Sequence, residues 1–143
     1  MQKNKIMSIQ ETNELKQQVY TAALRYIDNA EENLKKAKKE GNRYSDAKYV
    51  RIASAVAYNA VLLTLDAFLQ IKGIYPKKQQ RKSIEWYRYE LRKIDIKLLN
   101  EVNDTYDILH LCGNYDGLTN VQVIEIGMKS AKSVIKRMKP MVN

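Results

Sequence analysis

The sequence predicts an all-α fold, an antiparallel bundle of four long helices, or five if the third is broken near Asp95. Three observations point there. Only 5 Gly and 2 Pro occur in 143 residues, so turns are few and helices long. No stretch alternates apolar and polar residues over a useful length, which argues against strands. Between Ile52 and Ile71 the only charged residue is Asp66, and apolar side chains fall on every side. That last pattern belongs to a helix surrounded by partners.

The first helix starts after Ser8, which has capping-box spacing to Glu11, and is expected to run to Glu40 with Gly41 ending it. Residues 1–8 read as a polar lead-in. Leu15, Val19, Ala22, Ala23, Tyr26, Ile27, Ala30, Leu34 and Ala37 recur every three or four positions and give this helix one buried stripe. Ser45 is placed to cap the second helix, which Gly73 closes before Pro76. Ala53, Ala57 and Ala60 let neighbours approach it closely, and Leu65 and Leu69 fill the space between them.

From Ile84 to Cys112 apolar residues keep helical spacing throughout, with Asp95 able to cap a new helix inside the run. Gly113 and Gly117 bracket a turn. Thr119 has capping-box spacing to Gln122, and a last helix from Val121 to about Met138 precedes Pro140. No repeat or linker divides the chain, so it reads as one helical-bundle domain over residues 1–143.

With 45% hydrophobic and 29% charged residues the composition is that of a soluble globular domain. The apolar second helix is long enough for a membrane span, but Ser54, Tyr58, Asn59, Thr64, Asp66 and Gln70 interrupt it, so no membrane association is expected. A single cysteine, Cys112, allows no internal disulfide, and the first residues carry no apolar run of secretory-signal length, so a cytoplasmic location is expected.

The formal charge of +9 implies attraction to polyanions, or a solvated Lys-rich surface that keeps the protein soluble. Lys77, Lys78, Arg81 and Lys82 fall close together and are followed by Trp86, Tyr87, Arg88, Tyr89 and Arg92. Cations interleaved with aromatic rings are suited to hold a phosphate backbone and stack on exposed bases. The competing reading is a loop followed by a helix whose rings pack inwards.

The only histidine, His110, sits in NDTYDILHLCGNYD beside Asp107 and Tyr115. Asp107 and His110 are three apart, so a carboxylate is placed to orient the imidazole. One histidine cannot furnish a di-iron or zinc ligand set, and neither a metal nor a cofactor is predicted. Catalytic candidates are therefore limited to His110, Asp107 and Tyr115. Tyr58, Asn59 and Asp66 in the second helix read as a buried polar seam that fixes helix register, or as the lining of a ligand pocket.

The chain resembles the HEPN superfamily of small α-helical domains. The likeness rests on YIDNAEENLKKAKKEGNRYSDAKYVRIASAVAYNAVLLTLDAFLQIKG from Tyr26 to Gly73, and on YDILHLCGNYDG from Tyr106 to Gly117 with the amphipathic helix after it. Within that superfamily it most resembles an uncharacterised bacterial branch. Active members of that superfamily are metal-independent ribonucleases with an Arg-x4-6-His motif at a dimer interface. Here the residues that precede His110 at that interval, Asn103, Asp104 and Thr105, are not arginine. The resemblance therefore implies a non-catalytic binding or partner subunit, a homodimer, with a nucleotidyltransferase or RNA as partner. The rival readings are a divergent ribonuclease using His110 with Tyr106, Asp107 or Tyr115 and a distant arginine such as Arg92, and a basic RNA-binding bundle unrelated to HEPN.

Overall fold

The computed structural model describes residues 6–140, so residues 1–5 of the expected lead-in lie outside the described residues. The fold is all-α apart from one very short hairpin. Helix α1, Ile9–Ala37, opens on the expected capping box: Ser8 Oγ accepts from Glu11 N at 3.1 Å, and the Glu11 carboxylate accepts from Ser8 N at 3.1 Å. Its buried residues Val19, Ala23, Ile27, Ala30 and Ala37 form the stripe that faces the core.

The expected continuation of α1 to Glu40 is corrected. The helix stops at Ala37, Lys38 takes φ 57, and the chain folds back as β1, Lys39–Glu40, paired antiparallel with β2, Arg43–Tyr44. Gly41, at φ 64, supplies the left-handed turn residue. The hairpin also clamps the far end of the chain, because Tyr44 N donates to the Thr119 carbonyl at 2.8 Å and Val121 N to the Asn42 carbonyl at 2.9 Å. Tyr44 is thereby buried, and its hydroxyl pKa is raised by burial and by the nearby Glu125 carboxylate.

Helix α2, Ala47–Ile71, is capped by Asp46 rather than Ser45, with Asp46 Oδ1 accepting from Lys48 N at 3.0 Å. It packs against α1, the last helix and the segment that holds His110. Val50, Ala53, Ala57, Ala60, Val61 and Leu65 have no exposed surface. By length and composition alone α2 is long and apolar enough to cross a membrane, and 56% of its most apolar window is buried inside the protein.

The run from Ile84 is broken at Asp95 into α3, Ile84–Ile94, and α4, Ile96–Thr105. Asp95 accepts from Leu98 N at 2.9 Å, the cap expected of it, and from the Arg137 guanidinium at 3.0 Å. Arg137 also donates to Glu101 at 2.7 Å, so one cation ties the α3–α4 corner to the end of the last helix. After α4 the backbone widens into a π-helix, Tyr106–Tyr115, where an α-helix ending near Cys112 was expected. Helix α5, Val121–Lys136, is capped by Asn120, not Thr119, because the Thr119 carbonyl is taken by the hairpin.

Candidate functional site

The π-helix organises the one cluster in which an imidazole, a guanidinium and several phenols meet. In a π-helix the hydrogen bonds run from i to i+5, so residues four and five apart line one face. Tyr106, His110 and Tyr115 do so: the His110 ring lies 5.2 Å from Tyr106 and 5.0 Å from Tyr115, centroid to centroid. Beneath them α2 presents Tyr58, whose ring stacks on His110 at 4.9 Å with 24° between the planes.

Two glycines set the depth of this turn. A Cβ on Gly113 would overlap Ser54 Oγ on α2 and sit 2.6 Å from Ser54 Cβ, while a Cβ on Gly127 of α5 would lie 2.6 Å from Ile108 Cγ2. The π-helix is thus held between α2 and α5 at distances that only glycine permits. Its C-terminal carbonyls are held from α2: the Arg51 guanidinium donates to the Asn114 carbonyl at 2.9 Å and to that of Tyr115. The Arg51 side chain in turn rests against Gly117, which has φ 65. Tyr115 is the exposed member of the cluster, at 64%.

From α3, Arg88 lays its guanidinium over the Tyr106 ring at 4.9 Å, a cation–π contact. Its Nε donates to Asn103 Oδ1 at 2.8 Å and its Nη1 to Glu85 at 3.1 Å. Burial pushes the Tyr58 hydroxyl up to about 12; Tyr106 adds to the rise and the charge of Arg88 opposes it. Tyr87 is raised as well, first by burial and then by the 2.5 Å hydrogen bond it donates to Asp66. Asp66 receives the Lys82 ammonium at 2.9 Å, so the basic segment before α3 is tied to α2 and, through Asp66, to Tyr87.

The expected residues divide accordingly. His110 and Tyr115 come together, but Asp107 is exposed and forms no hydrogen bond or ion pair with a described residue. The three-residue spacing that would align Asp107 with His110 in an α-helix does not do so in the wider π-turn. Lys77, Lys78, Arg81 and Arg92 are exposed and pair with no described acidic residue, Lys82 is engaged by Asp66, and Arg88 is half-buried. The buried seam is corrected at one position. Tyr58 is buried and Asp66 half-buried, but Asn59 is exposed. Arg88, rather than Arg92, is the guanidinium laid over a ring of the cluster, and no sequence spacing links it to His110. Among the described residues no group of three or more His, Cys, Asp or Glu side chains is placed to hold a metal ion.

The arrangement offers an exposed aromatic face beside an imidazole, with cations on the adjoining segment, which suits a planar base and its phosphates.

A protein of unknown function from Dyadobacter fermentans has a solved structure similar to this one, with a TM-score of 0.77 at 35% identity, covering 85% of this chain and 94% of that one. No curated protein matches the chain. A family described as a domain of unknown function, DUF5618, matches residues 18–140, and this chain belongs to it.

Proposed function

We propose that this protein is a HEPN-like bundle of antiparallel helices that serves in the cytoplasm as a non-catalytic, homodimeric RNA-binding subunit. A protein such as a nucleotidyltransferase is its expected partner. The observation that carries the reading is the run of exposed cations Lys77, Lys78 and Arg81, which pair with no described acidic residue and lead into Lys82, whose contact with Asp66 ties this segment to α2 and to Tyr87. Cations along that run can take phosphates while Tyr115 takes a base. Arg88 supports a structural role at the centre, because its guanidinium is already occupied by Asn103, Glu85 and the Tyr106 ring.

The presence of Arg88 beside Tyr106 is also what favours the second reading, a divergent metal-independent ribonuclease with His110 as its base. In that reading Arg88 supplies from α3 the guanidinium missing from the stretch before His110. The two readings part on one experiment: fluorescence anisotropy with an end-labelled single-stranded RNA, the products then run on a gel. Binding that is lost in Lys77→Ala/Lys78→Ala/Arg81→Ala and weakened in Tyr115→Ala, with the RNA intact, is the expected result. Equal binding by all of these proteins would overturn the RNA reading. Cleavage that disappears in His110→Ala would establish the enzyme instead.

A further inference from the structure

Asn59, expected in a buried seam, instead opens onto a groove of about 610 Å³ between α1 and α2. The lining is Ala22, Arg25, Tyr26 and Asn29 from α1 with Val56 and Asn59 from α2. None of the residues assigned above to RNA borders it. Ala22 and Val56 give the groove an apolar floor, and its polar groups are mostly unspent. Arg25 and Asn59 form no hydrogen bond or ion pair with a described residue. Asn29 has its Oδ1 occupied by the Asn33 amide at 3.0 Å, which leaves its own NH2 group free to donate.

The groove is therefore rich in donors and asks for a ligand rich in acceptors. From Ala22 to Asn29 it runs about 10 Å at the helical rise of 1.5 Å per residue. That is the length of about three residues of extended chain. A nucleic acid presents a phosphate at every step and needs a row of cations, whereas this lining holds one. One guanidinium matches one carboxylate, in the two-pronged geometry that arginine favours. Primary amides offer both a donor and an acceptor, the pattern that a peptide main chain presents.

We propose that this groove binds an extended acidic peptide segment of a protein partner, its carboxylate on Arg25 and its main chain on Asn29 and Asn59. The site is independent of the RNA surface, and its occupant is a second, different ligand.

The test is a titration of the 15N-labelled full chain with the capped peptide acetyl-Ala-Ala-Glu-Ala-Ala-amide. Saturable shifts at the side-chain amides of Asn29 and Asn59 and at the Tyr26 backbone are expected. Arg25→Ala, whose exposed side chain leaves the folded spectrum intact, should weaken binding roughly tenfold, as should Gln in place of Glu in the peptide. Arg25→Lys should recover part of the loss. No saturable shift at several millimolar peptide, or equal binding of the Gln peptide, overturns the proposal. Shifts of the same amides on adding single-stranded RNA would assign the groove to nucleic acid, and shifts on diluting the protein alone would assign it to a second copy. Either result also overturns it.

Discussion

His110 lies nearly flat on Tyr58, with ring centroids 4.9 Å apart and 24° between the planes, and this stack joins the π-helix to the central helix. The Tyr58 hydroxyl is buried, and its pKa is held at about 12 against the ordinary 10.0. The sign of the consequence follows from proton linkage. As pH rises above 10.0 the unfolded chain loses this proton before the folded chain does, so the stability present below that pH declines towards pH 12. Tyr58→Phe should flatten the decline, measured as urea midpoints from about pH 9 to pH 11.5. It will not abolish it, because Tyr87 is raised in the same direction. An unchanged slope would mean that the Tyr58 hydroxyl is not buried.

Gly113 touches Ser54 where no Cβ fits. Gly113→Ala should therefore cost about 1–3 kcal/mol by overpacking, read from denaturant unfolding. Ser54→Gly removes both atoms in the way, so the double variant Ser54→Gly/Gly113→Ala should recover most of the loss beyond that of Ser54→Gly alone. Additive losses would contradict the contact.

The Arg51 guanidinium holds the carbonyls of Asn114 and Tyr115 at the end of the π-helix. Arg51→Met keeps an unbranched apolar stem and removes the donors. Since Arg51 is exposed, the cost in stability should be modest, about 1 kcal/mol. The local effect should be larger, with faster amide hydrogen exchange across residues 111–118 and little change elsewhere.

Asp95 caps α4 and receives Arg137 from the end of α5. Asp95→Ala should lower stability by about 1–2 kcal/mol through the lost cap and the loss of one of the two carboxylates that hold Arg137. Asp95→Asn keeps the cap and loses only the charge, so it should recover more than half of the difference in thermal midpoint. Equal losses in the two variants would place the effect in the ion pair.

Much of the helical framework was legible because it depends on local chemistry. The Ser8–Glu11 capping box and the break at Asp95 each come from a side chain satisfying nearby backbone donors. The periodic apolar residues Leu65, Leu69, Leu91, Leu98 and Leu109 are fully buried. What escaped the sequence has physical causes of another kind. Strands of two residues show no alternation, so the Lys39–Tyr44 hairpin reads as a helix end. The π-helix leaves no mark in an apolar pattern read at the α-helical period, so the sequence sets Asp107 beside His110 along with Tyr106 and Tyr115, and only the two tyrosines meet it. Arg88 reaches the cluster across helices, a tertiary contact that spacing cannot reveal. Asn59 was misplaced because an apolar helix suggests neighbours on all sides, whereas α2 leaves one side open to the groove.

The central claim, that the basic and aromatic surface binds RNA, is tested most directly by the salt dependence of that binding. Purified protein is titrated into single-stranded RNA from low to moderate salt, and the RNA is checked for integrity in the same tubes. If Lys77, Lys78, Arg81 and Arg92 each neutralise one phosphate, the plot of log K against log salt should have a slope of roughly −3. Each cation removed should make that slope shallower by about 0.7. Binding that ignores salt, or no binding at low salt, would contradict the account and leave these cations as a solvated surface.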